Sequence, residues 1–147
     1  MENSILTSTK KMLNISATYT DFDLDIITHI NSTFSIVGQI GVGPTNGAMI
    51  VDSTLGWTDL AMPDDQLNLL KSYMFLRVRM LFDPPTSGFL LTAMQQQIAE
   101  YEYRLSYLRE ILQPIPTVQA NPYANEMGYQ AGYYQGLADA MGVISGP

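Results

Sequence analysis

Chemistry has few places to start in this chain. The only histidine is His29, which follows Thr28 in a helical stretch and lies off its main apolar stripe. A nucleophile–histidine–acid set is conceivable from composition, but no serine sits in a Gly-x-Ser-x-Gly elbow. His29 therefore reads as structural or exposed. One histidine and no cysteine also leave too few ligands for a zinc site. Asp21, Asp23 and Asp25 have the spacing that opens a calcium loop. Ile26 stands where that loop needs glycine, however, and Ser32 where it needs glutamate. Gly41-Val42-Gly43 with Gly47 misses the dinucleotide fingerprint and follows a helix instead of leading into one. No Gly-Lys-Ser/Thr exists for a phosphate loop. The expectation is no enzyme, with catalytic, cofactor-binding and metal-ligating residues all none.

What remains is recognition chemistry. Arg77 and Arg79 lie in an otherwise apolar helical stretch. They could snorkel or pair with acids such as Asp83 or Glu110, or form salt bridges across a subunit boundary. Together with Trp57 they are the candidate subunit-interface residues. Tyr123, Tyr129, Tyr133 and Tyr134 are candidate anchors for a partner, because tyrosine is enriched at interface cores.

The composition narrows the classes further. Charged residues are only 14% while hydrophobic residues reach 46%, a balance that leaves surface for a protein partner. Fourteen acids against seven bases give a net charge of −7. Tight nucleic-acid binding needs clustered Lys and Arg, and Lys10-Lys11 and Arg77/Arg79 are the only close basic pairs. The acidic balance also argues against an anionic membrane surface. Without cysteine, disulfides and thiol catalysis are excluded. Met1-Glu2-Asn3-Ser4 has no basic n-region, so no signal peptide is expected. No apolar run reaches the ~18 residues that span a bilayer.

The elements that must position these residues are helical. From Leu91 to Leu112, apolar residues recur in steps of three and four: Leu91, Met94, Ile98, Tyr101, Leu105, Leu108 and Leu112. That heptad stripe predicts one long helix with a buried face. Phe82-Asp83-Pro84-Pro85 must break the helix before it, and Thr86 or Ser87 can cap the one after. That earlier helix opens with Pro63 at its first position and carries the stripe Leu67, Leu70, Met74, Val78, Leu81. It is apolar almost all round, so it is central or covered by neighbouring subunits.

Upstream, Ile5 to Ile15 predicts a short helix capped by Thr7 or Ser8. Thr20 as N-cap, Asp23 at the third position and a Tyr19–Leu24 staple predict the start of a second helix, with the stripe Ile27, Ile30, Phe34, Val37. Gly38 and Gly41 end it. Residues 41–62 read as a long loop in which Met49-Ile50-Val51 and Leu55 to Trp57 could pair as a β-hairpin. After Pro114 and Pro116 the chain has no Lys or Arg and becomes rich in Tyr, Gly, Ala, Gln and Asn. The expected class is all-α: a small bundle of one short and three longer helices. A helical domain over 1–113 is followed by a Tyr/Gly-rich tail over 114–147 that orders on a partner.

In order, these segments resemble the head-to-tail connector proteins (adaptor or head-completion proteins) of long-tailed phages. The residues that carry the resemblance begin with Ile5 to Leu13, Tyr19-Thr20-Asp21-Phe22-Asp23 and Ile26 to Asn31. Gly41-Val42-Gly43-Pro44 and the Trp57 region follow, then Lys71-Ser72-Tyr73 through Arg77 to Ser87, leading into the long helix. Residues after Gln113 lie outside it. The resemblance implies a structural virion protein without catalytic activity or cofactor. It implies a homo-oligomeric ring, usually a dodecamer, at the head–tail neck. Portal protein would lie on one side, a stopper or tail-completion protein on the other, and DNA would pass through without specific binding. Assembly would take place in the host cytoplasm. The rival reading from composition alone is a non-catalytic cytoplasmic protein-binding module.

Overall fold

The computed structural model describes residues 2–44 and 46–112. Four α-helices are present among them: α1 (Ile5–Met12), α2 (Asp23–Ile40), α3 (Asp64–Phe82) and α4 (Gly88–Leu112). A 3₁₀ turn, Trp57–Leu60, lies in the loop before α3. Among the described residues this is the small all-α bundle that the periodicities demand. α3 is its centre and packs against the other three helices.

The short helix starts at Ile5 as expected, but its cap is Ser4 and not Thr7 or Ser8. Ser4 Oγ accepts the Thr7 N–H at 3.2 Å, which satisfies one of the donors left open at a helix start. Thr9 Oγ1 instead donates back to the Ile5 carbonyl at 2.7 Å and is fully buried. The helix stops at Met12 and not at Ile15, because Asn14 takes a left-handed φ of 60°, a conformation asparagine tolerates.

The capping box expected at the start of α2 does not form. Asp23 is itself the first helical residue, and no side chain caps the helix. Its carboxylate is engaged by Lys10, 2.7 Å away, so it is not available to reach back to Thr20. The staple fails too. Tyr19 packs on Phe22 at 5.4 Å and Phe22 meets Phe82 edge-on at 5.3 Å, while Leu24 is 76% exposed. The buried face is Ile26, Ile30, Thr33, Phe34 and Val37, with Ile27 only half-buried. Thr33 is accommodated there by donating to the His29 carbonyl. Gly41 ends the helix at φ 92° with the Arg109 side chain of α4 lying over it. A Cβ there would come within 2.7 Å of Arg109 Nε.

Among the described residues, no hairpin forms within the loop between α2 and α3. Each of its extended pieces finds a partner elsewhere. Ile50 is held by a side chain: Asn31 Nδ2 donates to the Ile50 carbonyl at 2.9 Å, and the Ile50 N–H donates to Asn31 Oδ1 at 2.8 Å. Gly56 bridges antiparallel to Ser4. The Ile5 N–H donates to Leu55 O and the Trp57 N–H to Asn3 O.

Pro63 caps α3 from outside the helix. Leu67, Leu70, Tyr73, Met74 and Val78 are buried, whereas Leu81 is largely exposed where the stripe outruns the core. Ser87 begins α4 through its Oγ and carbonyl, which accept from Leu90 and Leu91. Ile98 and Leu105 are the fully buried members of the α4 stripe; Leu91, Met94, Tyr101 and Leu108 are half-buried.

Candidate functional site

The residues singled out by sequence separate into different environments. Trp57 is 1% exposed. Its indole N–H donates to Ser8 Oγ at 2.8 Å and its ring meets Phe75 edge-on at 5.8 Å, with Lys71 Nζ 5.6 Å from the centroid. Enclosed in this way, the ring pins the loop onto α1 and α3.

Arg77 turns toward α4. Its Nη1 lies 3.7 Å from Glu102 Oε1, the oxygen that also accepts from Tyr73 O–H at 2.8 Å. The expected acids, Asp83 and Glu110, are not its partners. Burial, and then the hydrogen bond to Glu102, hold the Tyr73 phenol well above its ordinary pKa, and the Arg77 charge only partly offsets them. Tyr73 and Arg77 are one turn apart on α3, so Glu102 fastens the two central helices with one carboxylate.

Arg79 lies on the other side of α3 and makes no ion pair among the described residues. It borders a groove of about 490 Å³ between the end of α1, α3 and the first half of α4. Met12, Phe75, Leu76, Leu90, Met94 and Tyr101 give the groove an apolar floor, while Ser72 and Gln97 add polar edges. Phe89, next to Leu90, is 87% exposed. On α3 the groove residues face away from Leu70, Met74 and Val78, so this is a second apolar face, distinct from the core face.

His29 is half-buried, and its ring makes no hydrogen bond among the described residues. Asp21 and Asp25 are exposed. No group of three or more His, Cys, Asp or Glu that could hold a metal occurs among the described residues. No helix among them is long and apolar enough to cross a membrane. Tyr123, Tyr129, Tyr133 and Tyr134, with the whole 114–147 tail, lie outside the described residues.

Sequence reasoning missed three polar anchors: Lys10, Asn31 and Glu102. A signal existed for Lys10. Leu6, Thr9, Lys10 and Leu13 share one helix face, which makes the lysine part of an inward stripe. Asn31 and Glu102 carry no such mark, because their partners are 19 and 29 residues away.

A family model described as phage connector protein matches residues 5–111. No curated protein and no solved structure matches the chain. The matched span runs from the first residue of α1 to nearly the last of α4 and so takes in the whole described bundle. A helical domain with an uncovered apolar face, matched from end to end by that model, belongs to the phage connector protein family, the structural proteins of the virion's head-to-tail connection.

Proposed function

We propose that this protein is a non-catalytic ring component of the phage neck. Identical copies, a dodecamer by resemblance, surround the DNA path between the portal protein and a stopper or tail-completion protein. The observation that carries this reading is the second apolar face, the α1–α3–α4 groove lined by Leu90 and Met94. A ring would bury such a face in every copy. Arg79, on that face, is the interface arginine of the pair, and Arg77 supports it from within the bundle. The tyrosines of the 114–147 tail are assigned to the portal contact. The acidic balance fits a channel that lets phosphates pass, since like charge prevents sticking. The protein assembles in the host cytoplasm and ends in the virion neck, as in a siphovirus-like particle.

Negative-stain imaging of the full-length protein mixed with its portal protein tests this. Rings stacked on the portal are the expected result. A small complex of fixed low stoichiometry, or none, overturns it.

A further inference from the structure

The loop between α2 and α3 carries a feature that the bundle does not use. Ile50 is buried, while Met49 and Val51 on either side are 68% and 73% exposed. Ile50 itself is fixed by the pair of hydrogen bonds it exchanges with Asn31. Two apolar side chains are thus held outward on a loop whose backbone is clamped. Asp52 follows them. Its carboxylate accepts from the Thr54 hydroxyl at 2.6 Å and the Thr54 N–H at 2.8 Å, and these bonds hold its pKa below the ordinary carboxylate value. The loop tip is therefore two apolar knobs beside a fixed negative charge.

The groove has the complementary character. Its floor is aliphatic and aromatic, and its charged group is Arg79, which has no acidic partner among the described residues. Among the described residues, none of α2 or of the loop between α2 and α3 lines it. Its volume of about 490 Å³ has room for two side chains of this size.

We propose that the Met49–Asp52 loop of one copy seats in the α1–α3–α4 groove of the next, with Met49 and Val51 on the apolar floor and Asp52 against Arg79. This rests on the ring reading above and deepens it by naming the contact. The two surfaces differ, so the contact is head-to-tail, the kind that closes into a ring when the rotation per copy is right. A pre-clamped loop also loses little freedom on docking, which favours a contact repeated around a ring.

The test replaces Leu90 by a benzoyl-phenylalanine photo-crosslinker in the full-length protein, allows it to assemble into particles, and maps the joined peptides. The expected product is a ladder of covalent multimers whose cross-links fall in residues 46–55 of a neighbouring copy. Cross-links to the portal protein or to residues 113–147, or none, overturn the proposal. If the same particles show a ring at the neck, the ring reading survives that failure; if they do not, both fall. Gln97 is the second crosslinker position should replacement of Leu90 unfold the chain. A charge exchange provides an independent arm. Arg79→Glu should lower incorporation about tenfold, and adding Asp52→Arg to the same chain should restore most of it. A double variant no better than Arg79→Glu alone also overturns the proposal.

Discussion

Lys10 Nζ lies 2.7 Å from Asp23 Oδ1, with the lysine side chain only 2% exposed. The same ammonium donates to the backbone carbonyls of Ala17 and Tyr19. The contact with Asp23 has the distance of an ion pair but not the alignment of a hydrogen bond. One buried charge thereby sets the path of the chain from α1 to the start of α2.

Lys10→Met should destabilise the protein by about 2–4 kcal/mol, since it leaves a carboxylate and two carbonyls without their cation. The value falls toward the lower end because Asp23 is 26% exposed and water relieves part of the loss. Asp23→Asn should cost less, because Lys10 keeps both carbonyls. Urea denaturation of the two variants checks the order, and an equal or larger loss from Asp23→Asn contradicts it.

Asn31→Ala should release the loop at Ile50. Two hydrogen bonds are lost, for about 1–2 kcal/mol in all. Amide exchange at Ile50 should accelerate strongly while exchange in the middle of α3 changes little. Asn31→Asp should fail to restore protection, because it keeps the acceptor for the Ile50 N–H but sets a carboxylate against the Ile50 carbonyl. Uniform acceleration across the bundle would show that Asn31 supports the core and not the loop.

Tyr73 is buried, and its phenol is held above its ordinary pKa, first by burial and then by Glu102. A raised folded-state value means that the native state keeps the proton longer than the unfolded chain does. Its contribution is thus complete below the unfolded value of about 10 and is lost as pH rises toward the higher folded value. Tyr73 should accordingly add no pH dependence to stability around neutrality and a decline on the alkaline side. Tyr73→Phe should cost about 1 kcal/mol at pH 7 and flatten that alkaline decline. Thermal melts of both proteins from pH 7 to 11 measure this; parallel curves would remove Tyr73 as the source.

The helices were legible in the residues themselves. Periodicity is local: Leu67, Leu70, Met74 and Val78, or Ile98 and Leu105, mark an inward face wherever that face ends up. The double-proline corner at Pro84-Pro85 and the glycine ending at Gly41 follow equally from backbone sterics, which need no partner. Order and spacing along residues 5–112 pointed to the connector family for the same reason, since they record the arrangement of elements and not a catalytic group.

Tertiary structure alone decided where polar and dual-purpose residues went. Asp23 could cap its own helix or pair with Lys10, and only the packing of α1 against α2 settled it. Trp57 could lie outside or inside, and the cavity between Ser8 and Phe75 took it inside. The loop strands could pair with each other, but Asn31 and the Ser4 segment reached them first. Such choices depend on partners distant in sequence, and a one-dimensional pattern does not encode distance in space. Local sterics and hydrophobic spacing thus determined which segments are helical, and three-dimensional packing determined which side chains those helices enclose and which they leave outside.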